Sequence, residues 1–203
     1  ICHNPSEWLA RLESLDSRFA GEEHLALDRY GVGELADILQ RRANAGFGND
    51  PATRAVLERI ADLAAGVARD GIQTLYHAAL VALEDDHAQI LPEHVEPGYE
   101  RARGAIREAN LRSLPVHHHI VYEIVREFGP LSGRELHAEY DRVAPRAYDQ
   151  ARKTPVTKSY RRGICRKLDD YGLIERETTD GSARYWAVDD ELESELDVAA
   201  ALV

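Results

Sequence analysis

RKTPVTKSYRRGICRK, residues Arg152 to Lys167, holds Arg152, Lys153, Lys158, Arg161, Arg162, Arg166 and Lys167 and neither Asp nor Glu. All three lysines of the 203-residue chain lie in this run, although the chain as a whole carries a formal net charge of -11. Like charges repel, so a cluster this dense in an acidic protein points to an anionic partner outside the fold. A phosphate backbone is the leading candidate. The run reads as a helix with Thr154 as N-cap, Pro155 at the first helical position and Gly172 after Tyr171 as the stop. Val156, Tyr160, Ile164, Leu168 and Tyr171 recur at spacings of three and four, a stripe suited to burial. Lys158, Ser159, Arg162 and Arg166 then take the opposite face. Gly163 in mid-helix costs up to ~1 kcal/mol relative to alanine, so the helix depends on tertiary packing. Taken alone, the run reads equally well as a solvated basic face.

The flanking segments favour DNA. Downstream, Ile174–Thr178 and Ala183–Val188 read as strands joined by an Asp180-Gly181 turn, a strong hairpin signal. Upstream, Val116–Phe128 has helical apolar spacing closed by Gly129-Pro130. A second helix starts with Ser132 answered by Glu135, a capping box, and runs through Leu136, Tyr140 and Val143 to Pro145. Helix, helix, basic helix, hairpin is the order of a winged helix-turn-helix, in which the third helix enters the major groove and the hairpin flanks it. Arg176 and Arg184 become candidates for phosphate or minor-groove contacts, with Glu175 and Glu177 alternating against Arg176.

The length allows one domain or two small ones, and 44% hydrophobic content supplies a core. Acids outnumber bases 36 to 25 and arginine is heavily preferred over lysine, a balance resembling proteins of salt-loving organisms. It confines nucleic-acid contact to the basic face and hairpin. Cys2 and Cys165 fit neither a disulfide framework nor a zinc cluster, which suggests a reducing compartment. No run approaches the ~20 apolar residues of a membrane span. The chain opens at Ile1 without Met, as a fragment would.

The first half reads as helices. Ser6–Leu15 and Val32–Phe47 come first, with a short strand at Leu25 to Leu27 between them. Glycine, asparagine and proline break the pattern at Gly46–Pro51. Thr53–Arg69, a turn at Asp70-Gly71, a helix around Leu75 to Leu83, and Ile90–Arg107 started by Pro92 follow. Ala109–Pro115 connects a helical bundle to the winged helix.

Several stretches together resemble the archaeal origin-recognition and cell-division-control-type replication initiator family. They are YGVGELADILQRRA (Tyr30–Ala43), ILPEHVEPGYERARGA (Ile90–Ala105) and LRSLPVHHH (Leu111–His119). The resemblance implies a mainly α fold: a helical AAA+ lid-type bundle over 30–110, then a winged helix-turn-helix domain with a β-hairpin wing over 111–190. It also implies a remnant of the end of an AAA+ core over 1–29; the tail over 191–203, acidic then Ala-rich, reads from composition as a helix or disorder. Within the remnant, Asn4 resembles a sensor 1 polar residue and Arg18 the region of the arginine finger. The chain has no Gly-x4-Gly-Lys-Ser/Thr loop and no strand ending in the acidic pair that holds Mg²⁺. The expectation is therefore no enzyme and no cofactor in this chain, with ATP and Mg²⁺ only where a full-length AAA+ core exists. Gly71-Ile72-Gln73-Thr74 stands where the family carries its sensor 2 arginine.

Other groupings read as structural. His117, His118 and His119 point in different directions on a helix, poor geometry for one metal ion. Ser132, His137 and Asp141 share a helix, as common surface neighbours do. Glu22-Glu23 and Asp85-Asp86 are loop acids of the solvated kind. The expected activity is double-stranded DNA binding, as in an initiator that recognises origins. Lys158, Ser159, Arg162 and Arg166 would supply groove contacts, and Arg152, Lys153, Arg161, Arg176 and Arg184 would meet phosphates. Other initiator subunits are candidate partners, and the location is cytoplasmic and nucleoid-associated. The alternatives are a protein-interaction module and a transcriptional regulator derived from the same family.

Overall fold

The computed structural model describes residues 28–194 except 49, 152, 180 and 181. The expected helix at Ser6–Leu15, the strand at Leu25 to Leu27, and Asn4 and Arg18 lie outside the described residues, as do Arg152 and the Asp180-Gly181 turn.

Helix α1 spans Val32–Phe47, as its apolar spacing predicts, and buries Leu35, Ala36, Leu39 and Ala43. Helix α2 starts where expected, with the Thr53 hydroxyl accepting the Val56 N–H, but it ends at Leu63. The chain turns instead at Ala65 and Gly66, both at positive φ. A Cβ on Gly66 would fall 2.5 Å from the Tyr30 carbonyl, so only glycine fits this turn. Helix α3 then runs Ala68–Glu84 with Asp70-Gly71 inside its first turn. The Asp-Gly pair is thus no turn: Gly71 faces Leu35, Leu39 and Ala64. After a short 3-10 turn at Pro92–His94 comes helix α4, Val95–Arg112, which takes in much of the expected connector. Gly98 lets α4 lie directly on the α3 backbone, since a Cβ there would meet the Ala78 nitrogen at 2.5 Å.

Helix α5 covers Val116–Phe128 as read from the sequence. Strand β1, Leu131–Ser132, precedes helix α6, Gly133–Ala151. The capping box is present, with Ser132 N–H donating to Glu135 Oε2 (2.8 Å) and Glu135 N–H to Ser132 Oγ (3.3 Å). Helix α6 continues past Pro145, where the sequence signalled a stop. Burial of Ala144, Ala147 and Tyr148 in the core outweighs the proline penalty. Helix α7 spans Lys158–Asp170, strand β2 Ile174–Thr179 and strand β3 Ser182–Ala187. The sheet is antiparallel in the order β1-β3-β2, with Leu131 opposite Tyr185 and Thr179 opposite Ser182.

Two apolar cores result. One joins α1 to α3 and the start of α4 around Leu35, Leu39, Leu57, Ile60 and Leu75. The other joins α5, α6, α7 and β2 around Ile120, Ile124, Leu136, Tyr140, Ile164 and Leu168. Helix α4 belongs to both, with Val95 in the first and Leu111 in the second. Two contacts tie it down further: Arg107 pairs with Asp189 at 3.2 Å, and the Asn110 amide donates to the Tyr171 carbonyl at 3.2 Å. Of the expected tail, residues 191–194 form no helix. They lie against α5, where buried Glu123 accepts the Ser194 N–H at 2.6 Å and pairs with Arg126 at 2.8 Å.

Candidate nucleic-acid interface

The basic helix begins three residues later than its cap signal suggests. Val156 N–H donates to the Tyr140 hydroxyl (3.0 Å), a tertiary partner that holds this backbone out of helical register. Thr157 becomes the N-cap, its hydroxyl accepting the Tyr160 N–H at 3.3 Å. Tyr140 in turn meets the Tyr148 hydroxyl at 2.6 Å, and that hydroxyl meets His117 Nδ1 at 2.7 Å. This hydrogen-bonded chain fixes the entry of α7 against α6 and α5.

The buried face of α7 is Arg161, Ile164, Cys165 and Leu168. The sequence stripe is right at Ile164 and Leu168 and wrong at Tyr160, which is 52% exposed. Arg161 takes the inward position instead and is only 6% exposed, so it is no phosphate contact. Its guanidinium pairs with Asp141 (2.6 Å), donates to the Val156 carbonyl (3.1 Å) and the His137 carbonyl (3.3 Å), and stacks 3.8 Å above the Tyr140 ring. A planar fork with five donors can satisfy these partners at once, which lysine could not. The charge is buried because it is spent on the fold.

The remaining expected contacts are exposed: Lys158, Ser159, Arg162 and Arg166 on α7, Lys153 before it, Arg176 on β2 and Arg184 on β3. None of these cations forms an ion pair among the described residues. Arg176 and Arg184 lie on neighbouring strands, Arg176 opposite Tyr185 and Arg184 opposite Glu177. Lys167 packs over the Tyr171 ring at 4.2 Å. His137, on α6, faces this cationic group: burial first, then Arg161, Lys158 and Arg162, hold its imidazole below the ordinary value.

The three adjacent histidines go to three separate environments. His117 meets Tyr148, His119 meets Ser194 Oγ at 2.7 Å and the Leu114 carbonyl at 3.0 Å, and His118 is buried with Nδ1 unpartnered. A different cluster, missed in the sequence, gathers Asp85, His87 and His94. His94 is 1% exposed, and its Nδ1 accepts the Leu91 N–H at 2.9 Å. The neutral ring therefore carries its proton on Nε2, which faces His87 Nδ1 at 3.0 Å and Asp85 at 3.5 Å. No lone pair remains on His94 for a metal, and the cluster acts as a hydrogen-bonded cap between α3 and α4. Its only sequence trace is a pair of histidines seven residues apart, His94 closing the 3-10 turn and His87 ahead of it.

Residues 36–100 match the family model of the Cdc6 AAA+ ATPase-type lid domain. The chain is 34% identical over 190 residues to ORC1-type DNA replication protein 9 of Halobacterium salinarum, covering 93% of this chain and 51% of the relative. It is 30% identical over 157 residues to ORC1-type DNA replication protein 1 of the same organism, covering 77% of this chain and 50% of the relative. Among solved structures, the Aeropyrum pernix ORC1 protein in complex with DNA aligns with TM-score 0.65 over 96% of this chain and 53% of that one. At 24% identity this likeness is one of fold. The chain spans about half the length of the curated relatives it matches. Among the described residues no helix is long and apolar enough to cross a membrane.

Proposed function

The chain belongs to the archaeal ORC1/Cdc6-type replication initiator family, and from that membership we propose that it is the lid and DNA-binding part of an origin-binding initiator. The first core is the lid-type unit, over about residues 30–110. The second, over about 111–190, is a winged helix with α7 as reading helix and the β2–β3 hairpin as wing. The observation that carries this reading is the exposed, unpaired cationic face of α7, where Lys158, Arg162 and Arg166 stand clear of every carboxylate described. In an acidic chain such a face is costly to keep unless an anion meets it.

Lys158, Ser159, Arg162 and Arg166 enter the groove, where arginine can grip a guanine edge with two hydrogen bonds. Lys153, Arg176 and Arg184 hold phosphates and set the register. Arg152 would join them from just ahead of the helix. Nucleotide hydrolysis is not assigned to this chain: ATP and Mg²⁺ belong to an AAA+ core, and these 203 residues hold no Gly-x4-Gly-Lys-Ser/Thr loop. Other initiator subunits are the natural protein partners, and nucleoid association follows from DNA binding.

Fluorescence anisotropy on duplex DNA across a salt series tests the reading. Log affinity should fall steeply with log salt, by about one unit of slope per phosphate contact. Arg162→Ala/Arg166→Ala should weaken binding and flatten the slope. Absence of binding at low salt by the folded chain would sink the proposal and move the role to a protein partner.

A further inference from the structure

Gly163 sits in the middle of α7, where glycine is among the poorest helix formers. Nothing lies within 4 Å of the position its Cβ would take, so packing inside the protein gives no reason for the small residue. Helical spacing stacks Gly163 on Ser159, one turn earlier, and sets Arg166 close below. The outward face of the helix is therefore smooth between its cations. Beside it opens a recess of about 500 Å³ lined by His118, Thr157, Ser159, Tyr160, Gly163 and Ile164. His118 reaches it from α5 and is 9% exposed. Tyr160, which its sequence spacing would place in the core, instead forms an exposed wall, edge-on to His117 at 6.1 Å between ring centroids.

We propose that this recess is where duplex DNA comes closest to the protein, taking the edge of one base, and that the absent side chain at position 163 is a determinant of sequence specificity. The proposal rests on the DNA-reading role of α7. Reading a base edge requires donor and acceptor within about 3 Å. Long arginine and lysine side chains, by contrast, still reach phosphates when the helix stands off. A methyl group at 163 holds the helix away from the groove floor. It therefore removes base reading and spares phosphate contact.

Duplexes enriched by the chain from a randomised pool, and scrambled versions of them, provide the probes. Gly163→Ala should raise Tm by about 2–4 °C, because alanine favours the helix and meets no clash. Its affinity for the enriched duplex should fall by about tenfold. Binding to the scrambled duplex should stay within about twofold of the unsubstituted chain. Tyr160→Ala should lose the same discrimination, and Tyr160→Phe should keep it. Full discrimination by Gly163→Ala with a raised Tm overturns the inference and leaves the DNA-reading role standing. A lowered Tm would make the recess a packing feature and overturns it equally. If the unsubstituted chain binds neither duplex in a salt-dependent way, the DNA-reading role fails too.

Discussion

Replacing Arg161 by alanine should unfold the protein more readily without touching the exposed cationic face of α7. The loss can be summed from its contacts. The carbonyls of Val156 and His137 lose charged donors at 3.1 and 3.3 Å, at ~1 kcal/mol each. Removing the stacking over Tyr140 at 3.8 Å costs ~1 kcal/mol more. The pair with Asp141 adds little, because the Asp141 side chain is 56% exposed and rehydrates when freed. The total is about 3 kcal/mol, or a Tm lower by about 6–12 °C for a protein of this size. Arg162→Ala, next in sequence but exposed, should stay within ~0.5 kcal/mol of the parent. Urea unfolding followed by circular dichroism measures the first difference, and anisotropy on duplex DNA the second. The expected result is a crossed pattern: Arg161→Ala unstable yet binding when folded, Arg162→Ala stable yet weak. Equal urea midpoints for the two variants with equal losses of DNA affinity would refute the division of labour.

Gly98→Ala drives a methyl into the α3 backbone at Ala78 and should cost about 2–3 kcal/mol in urea unfolding, with the exposed cationic face of α7 unchanged. Burial is the first cause that holds His117, His118 and His137 below the ordinary value of 6.5. In the window just below that value the unfolded chain binds more protons than the fold, so stability is full above it and declines as pH falls through it. A Tm series from pH 7.5 to 5.5 should drop, and His118→Gln should make the drop shallower.

The helical signals of the sequence hold wherever packing agrees with local chemistry. Val32–Phe47, Val116–Phe128 and the Ser132–Glu135 capping box are all where the sequence puts them. The failures share a cause, a long-range partner that local signals do not encode. Thr154-Pro155 is as good a helix start as any, but the Tyr140 hydroxyl, sixteen residues away from Val156, claims the backbone first. Asp70-Gly71 has turn chemistry, yet Gly66 takes the turn and Gly71 the helix contact. Arg161 was misassigned because apolar periodicity counts arginine as outward. Here its side chain meets an aromatic face and two carbonyls, and that environment exists only after α6 and α7 have met. The exposure of Lys158, Arg162 and Arg166 follows from the same helix and was legible, since the outward face needs no partner to define it.

Helix α4 has a mechanical consequence. Its 18 residues make a rod of about 27 Å, rooted in one core at Val95 and in the other at Leu111. Arg107 and Asn110 bolt its far end to the residues on either side of the hairpin, through Asp189 and Tyr171. Such a rod converts angle into displacement. A tilt of about 10° at Val95 carries Arg112 through about 5 Å, close to one turn of an α-helix. The shared helix thus couples the two cores, so that a slight rocking of the first bundle displaces the second by several ångströms.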